Sequence, residues 1–235
     1  MNIIPQTLSL KHQMRMPKSA PQNRPPLFLM LHGYGSNASD LISLAPFLDE
    51  RLLVVSAEAP ISLGGGARAW FDLQFTALGL VGDLAQAQES LNGLKYFIRE
   101  VVDSYGPDPT RIYVSGFSQG SIMSLAVTLT DPDLLAGTVL LSGKLPDLAN
   151  EVQASTSKFV GLPIFVAHGV HDQTLPIGLG REQREFLNEL PFALTYKEYD
   201  MGHEVNQQCL SDVKSWLTTA LDGPRRMPVP ANVSQ

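Results

Sequence analysis

The chain alternates between short apolar runs and longer stretches with helical spacing. Leu27-Phe28-Leu29-Met30-Leu31, Leu52-Leu53-Val54-Val55, Ile112-Tyr113-Val114, Val139-Leu140-Leu141 and Ile164-Phe165-Val166-Ala167 are nearly free of polar residues. Runs of this kind suit strands buried on both faces of a parallel sheet. Between them, residues 83–105 carry apolar side chains at Leu84, Leu91, Leu94, Phe97, Ile98, Val101 and Val102, ended by Gly106-Pro107, which predicts the longest helix. Further helices are predicted over residues 122–129, 179–190 and 204–221. A short one over 40–48 would be capped by Ser39 or Asp40. Residues 7–16 alternate weakly, as an edge strand would, with His12 in mid-strand; residues 193–199 alternate more clearly. Residues 144–162 read as irregular, and residues 58–82 show no clear period. The pattern as a whole predicts an α/β fold with a mostly parallel central sheet and helices on both faces.

A length of 235 residues fits a single domain over residues 1–222, with residues 223–235 as a mobile tail. Seventeen basic against 23 acidic residues give a net charge of −6, and no basic cluster exceeds Arg225-Arg226, so nucleic acid is not an expected partner. One cysteine, Cys209, excludes an internal disulfide framework and a Cys-rich metal site. No run approaches the roughly 20 apolar residues of a membrane span, and Lys11, His12, Arg15 and Lys18 interrupt the N-terminus where a secretory signal would be apolar. A cytoplasmic protein without stable membrane insertion is the expectation; a homodimer is left open.

The chemistry centres on Gly116-Phe117-Ser118-Gln119-Gly120, between an apolar run and a helical pattern. It matches the G-x-S-x-G nucleophile elbow, a strained strand-to-helix turn that presents its serine at the tip. Glycines two residues either side let the turn close. On its own, a five-residue match is as well explained by a glycine-rich turn with an exposed serine. A serine hydroxyl attacks efficiently only with a base to take its proton and an anion to orient that base. In a parallel sheet these groups must lie beyond the carboxyl ends of strands.

That filter sorts the five histidines. His12 lies away from a strand end, and His32 reads as a buried residue that ties down its loop. His168 and His171 follow one strand; His203 follows the last, preceded by Gly202, and is the preferred base. Asp172, just past the penultimate strand, is the preferred anion, although aspartate is common in turns. Asp200, its rival, is too near His203 in sequence to reach the ring readily. Ser118, Asp172 and His203 stand in the order in which the elbow architecture presents its triad. The oxyanion of an acyl-transfer intermediate would be held by the backbone N–H of Gln119 and of Tyr34, in Leu31-His32-Gly33-Tyr34-Gly35-Ser36.

With Trp70-Phe71-Asp72, His168-Gly169-x-x-Asp172-x-x-x-Pro176 and Gly202-His203-Glu204 in the same order, the chain resembles the phospholipase/carboxylesterase family of α/β-hydrolases, which includes acyl-protein thioesterases. The resemblance spans roughly residues 8–221. It implies an α/β-hydrolase fold without a separate lid domain, no metal, no organic cofactor and a small-molecule acyl ester as substrate. It also implies that residues 58–82 form one wall of an acyl cleft, with Trp70, Phe71, Phe75 and Leu78 as candidate substrate-binding residues. An open, shallow cleft for short or medium acyl esters or thioesters follows; a long-chain lysophospholipase or thioesterase is the second choice. A non-catalytic binding protein on the same scaffold would be expected to lack a triad member, and none is missing. Two residues depart from the family pattern, Ser121 where glycine is usual and Tyr34 where leucine is frequent.

Overall fold

Strands form where the chain is most apolar, and helices fill the stretches between. The computed structural model describes residues 7–19, 24–76, 79–147 and 154–224, without the side chains of 75–80; the tail expected from residue 223 lies outside it beyond Pro224. The first elements are β1 (His12–Arg15), β2 (Leu27–Leu31), α1 (Ala38–Ile42) and β3 (Leu53–Ala57). Two hairpins follow, β4 (Ile61–Gly64) with β5 (Ala67–Ala69) and β6 (Leu73–Thr76) with β7 (Gly79–Gly82). Then come α2 (Leu84–Tyr105), β8 (Ile112–Phe117), α3 (Gln119–Thr130) and β9 (Gly137–Leu141). The chain continues through β10 (Pro163–Gly169), α4 (Ile177–Asn188), β11 (Ala193–Tyr199) and α5 (Gln207–Asp222).

The central sheet has seven strands in the order β1-β3-β2-β8-β9-β10-β11. From β3 to β11 the pairings are parallel, and β1 runs antiparallel along β3. Both faces are covered, as the unbroken apolar runs require. Successive residues of β2 serve opposite cores. Leu27, Leu29 and Leu31 pack with Leu94, Phe97 and Val101 of α2 and Met123 of α3. Phe28 and Met30 pack with Cys209, Val213 and Leu217 of α5. A third cluster joins Leu125 of α3, Ile164 and Val166 of β10 and Leu187 of α4. Because the strands are parallel, β2, β8, β9, β10 and β11 all deliver their following loops to one rim of the sheet.

Local departures from the sequence pattern have local causes. The helix expected over 40–48 starts earlier, capped by Asn37, whose side chain accepts from the Ser39 N–H at 2.8 Å. It stops at Ile42, and a 3-10 turn over Ala45–Phe47 with its proline follows. α3 begins at Gln119 rather than Ile122 because Ser118 bends the chain straight into it. His12 opens β1 instead of lying in mid-strand, and its ring contacts the Leu10 carbonyl and the Tyr105 hydroxyl, the latter at 2.7 Å. Residues 58–82, aperiodic in sequence, are the two hairpins, whose strands of three or four residues are too short for alternation to register.

The turn between β8 and α3 leaves no room for a side chain at either of its glycines. Ser118 has φ 54° and ψ −117°, a backbone state unfavourable by about 1–3 kcal/mol for a residue with a side chain. A Cβ on Gly116 would lie 2.0 Å from the Gly120 carbonyl oxygen, and one on Gly120 would lie 2.0 Å from the Leu31 carbonyl oxygen. Gly120→Ala is therefore expected to lower unfolding stability by about 3 kcal/mol or more, measured by denaturant titration. Gly178→Ala, where a Cβ in α4 meets nothing within 4 Å, should be neutral or stabilising by up to about 1 kcal/mol.

Candidate active site

Three loops at the strand ends bring a hydroxyl, an imidazole and a carboxylate into line. Ser118 follows β8, and its N–H is fixed by the Leu141 carbonyl of β9 at 2.9 Å. Its Oγ lies 2.9 Å from His203 Nε2, and His203 Nδ1 lies 2.7 Å from Asp172 Oδ2. The Asp172 carboxylate is buried, while the histidine side chain retains 20% of its exposure. Burying a carboxylate is costly unless it is hydrogen-bonded. Here the other oxygen, Oδ1, accepts from the N–H groups of Thr174 at 2.9 Å and Leu175 at 2.8 Å. The loops carrying the two partners are stitched together, since the Val170 and His171 N–H groups donate to the Tyr199 and Met201 carbonyls.

The remaining histidines and the rival aspartate separate cleanly. Asp200 pairs with exposed His171 at 2.9 Å, away from His203. His168 is buried with its Nε2–H donating to the Leu175 carbonyl at 2.7 Å and lying 3.6 Å from Asp172 Oδ2. It braces the same turn that cradles the carboxylate. His32 Nδ1–H donates to the Gly33 carbonyl, and Nε2 accepts from the Ala59 N–H at 3.1 Å. Burial pulls its pKa below the ordinary histidine value, which suits a ring with one nitrogen donating and the other accepting.

Tyr34 lies in the loop after β2 and Gln119 opens α3, and both line the cleft that Ser118 borders. The neighbouring amides of Gly35, Ser36, Ser118 and Ser121 are engaged within turns or with Arg68 and Leu141. The amides of Tyr34 and Gln119 enter none of those turn and loop bonds among the described residues, and both residues border the cleft. The Gln119 side chain is committed elsewhere. Its Oε1 accepts from the Trp70 N–H at 2.8 Å and its Nε2 donates to the Phe71 carbonyl at 2.7 Å.

The cleft that opens over Ser118 has a volume of about 900 Å³, at the upper end for a small-molecule site. Phe71 lines it. Trp70, expected on the same wall, is fully buried beneath it, with its indole N–H donating to the His32 carbonyl at 2.9 Å. A side chain so placed supports the loop and does not touch cleft contents. The Phe75 side chain and Leu78 lie outside the described residues. Ile122, Met123, Ala126, Leu129 and Thr130 carry the cleft along α3, so it runs deeper than the shallow opening expected. A helix whose apolar and small polar residues are buried around most of its circumference gives no sequence sign of which face a cleft and which face the core.

The arrangement fits one family of known proteins. The model for phospholipase/carboxylesterase matches residues 15–221. The chain belongs to the phospholipase/carboxylesterase family. Among the family's relatives, acyl-protein thioesterase 1 of Yarrowia lipolytica is 30% identical over 217 residues, covering 86% of this chain and 94% of the relative. Carboxylesterase SOBER1 of Arabidopsis thaliana is 28% identical over 211 residues, covering 87% of each chain. In fold, the Bacillus cereus carboxylesterase structure superposes with a TM-score of 0.75 at 22% identity, over 90% of this chain and 94% of the other. Among the described residues, no helix is long and apolar enough to cross a membrane, and no group of His, Cys, Asp and Glu side chains is arranged to hold a metal.

The Gln119 side chain links α3 to the cleft wall and so has a measurable structural role. In Gln119→Leu the Trp70 N–H and the Phe71 carbonyl are left buried and unpaired, each costing about 1–3 kcal/mol. The variant is expected to lose about 2–4 kcal/mol of unfolding stability, read by chemical denaturation.

Proposed function

We propose that the chain is a serine carboxylesterase that hydrolyses small acyl esters or thioesters through an acyl-enzyme. The observation that carries the reading is the His203 ring, hydrogen-bonded at one nitrogen to the Ser118 hydroxyl and at the other to the buried Asp172 carboxylate. In the proposed mechanism Ser118 Oγ attacks the carbonyl carbon while His203 Nε2 takes its proton. Asp172 holds the Nδ1 proton, fixes the tautomer and stabilises the imidazolium. The backbone N–H groups of Tyr34 and Gln119 receive the oxyanion, each donor contributing about 3–4 kcal/mol to lowering the barrier. His203 then protonates the leaving oxygen. Water repeats the attack with His203 as base and releases the acid. The phospholipase/carboxylesterase membership supports the reaction class, and the position of Tyr34 and Gln119 on the cleft that Ser118 borders supports the oxyanion assignment. The reading includes a cytoplasmic location.

For the acyl part, the cleft wall along α3 from Ile122 to Thr130 spans about 12 Å at the helical rise of 1.5 Å per residue. That length supports a medium acyl chain. A long-chain preference, as in a lysophospholipase, is the second reading, favoured by the depth of the cleft beyond Ala126.

Ser118→Ala is expected to abolish hydrolysis of p-nitrophenyl butyrate and labelling by a fluorophosphonate while leaving the thermal transition in place. Surviving hydrolysis would refute the assignment of the nucleophile. Asp172→Asn should lower kcat by about 10⁴-fold through the wrong histidine tautomer. Acetate, butyrate, octanoate and palmitate esters of one alcohol, compared by kcat/KM, should peak at octanoate; a peak at palmitate selects the second reading.

A further inference from the structure

The cleft is lined by two sets of apolar residues, one from each face of the sheet, which we take as two lobes. Leu91, Ile122, Met123 and Ala126 line one and sit in or against the core beneath α2 and α3. Leu41, Leu44, Phe117 and Val205 line the other, and all four pack against the core beneath α1 and α5. Ser118 and His203 border the same cleft. The reaction proposed above assigns the lobes. When the acyl-enzyme forms, the bond between the carbonyl carbon and the alcohol oxygen breaks with its electron pair on that oxygen. The oxygen then takes from His203 Nε2 the proton that left Ser118. The leaving oxygen must accordingly lie at the histidine, with its substituent on the histidine side. Phe117 is the ring against His203, centroid to centroid 4.8 Å, and Val205 follows His203 by two residues. The acyl chain is left with the α2–α3 lobe.

Charge at the rim narrows what the second lobe accepts. Asp40 and Glu204 are exposed and border the cleft. Nearby acidic groups are neutralised, Glu58 by Arg68 at 3.2 Å and Asp147 by Lys144 at 2.6 Å. Asp40 instead accepts from the Ser36 hydroxyl, and among the described residues neither Asp40 nor Glu204 has a cationic partner within an ion-pair distance. Their uncompensated charge repels an anion entering beside His203.

We propose that Leu41, Leu44, Phe117 and Val205 form a leaving-group subsite for an uncharged, apolar alcohol, and that Asp40 and Glu204 reject leaving groups carrying a phosphate. The proposal rests on the esterase reading and deepens it, because it names the alcohol half of the substrate.

The test holds the acyl group constant and varies the alcohol, using butyrate esters of benzyl alcohol, glycerol and glycerol phosphate. All three pass through the same butyryl-enzyme, so differences in kcat/KM report the leaving-group side alone. Benzyl butyrate should be the best substrate and the phosphate ester the worst. Leu44→Ala should cut the benzyl-to-glycerol ratio about tenfold, the size expected when an apolar pocket loses methylenes, and leave the butyrate-to-octanoate preference unchanged. Val205→Ala should act in the same direction, which guards against a folding defect in one variant. Asp40→Asn combined with Glu204→Gln should raise kcat/KM for the phosphate ester several-fold, with the gain shrinking as salt is added. Equal kcat/KM for the benzyl and glycerol esters overturns the proposal, as does a Leu44→Ala effect on acyl length instead of alcohol. Failure of the esterase reading looks different: none of the three esters is hydrolysed and fluorophosphonate leaves Ser118 unlabelled, which removes the subsite along with it.

Discussion

The whole rim depends on how closely the first turn of α3 approaches the end of β2. Gly120 rests against the Leu31 carbonyl with no room for a side chain, and Gly116 rests against Gly120 in the same way. That contact sets the distance between Ser118 and the loop of His32, Gly33 and Tyr34. Were the helix pushed back even by a methyl group, the Ser118 hydroxyl would shift relative to that loop. The positive φ of Ser118 is the strain that this closeness imposes. It persists because the Ser118 N–H is held by Leu141 and its carbonyl accepts from Ser121 and Ile122, so the surroundings over-determine the bend.

A second constraint acts on the carboxylate. Asp172 is shut off from water, yet each of its oxygens has a partner: two backbone N–H groups at Oδ1 and the His203 ring at Oδ2. This satisfies the charge where it is and leaves one direction for the imidazole. His168 closes the turn from beneath by donating to the Leu175 carbonyl. The imidazole therefore inherits its orientation from a buried anion that cannot move without losing hydrogen bonds, and the anion inherits its place from a turn braced at both ends.

These parts were legible in the sequence to unequal degrees. Parallel strands buried on both faces read as unbroken apolar runs, so β2, β3, β8, β9 and β10 were visible, and with them the rim where chemistry must lie. Ser118, Asp172 and His203 could be singled out because each follows a strand, and the structure brings their side chains within hydrogen-bond distance. Residues 58–82 were opaque because hairpin strands of three or four residues give periodicity nothing to act on. Trp70 was misplaced for a different reason: an aromatic side chain in a polar-flanked stretch does not reveal whether its face meets a ligand or a core, and here the indole N–H found the His32 carbonyl. The depth of the cleft was illegible too. It arises between α2 and α3, whose apolar residues serve the core and the cavity alike. The Asn37 cap escaped because Ser39 and Asp40, better placed by the apolar pattern, competed for the same role.

The hydrogen bonds around the hydroxyl form a closed circuit, and this gives the site its rigidity. From the loop after β2, the Gly35 N–H reaches the Arg68 carbonyl and the Arg68 N–H returns to the Ser36 carbonyl. Arg68 lies in β5, and the chain passes through Trp70 to Phe71, where the Gln119 side chain takes both an N–H and a carbonyl. Gln119 adjoins Ser118, whose elbow presses back on Leu31. The loop after β2, β5 and the start of α3 are thus tied together by backbone hydrogen bonds and by the buried Gln119 side chain. Donors fixed before a reaction begins do not have to reorient as charge develops, and the stabilisation they offer is correspondingly larger than that of water. The side-chain amide of Gln119 and the indole of Trp70 act on the site from behind its wall, because they hold that wall and the loop after β2 in one frame.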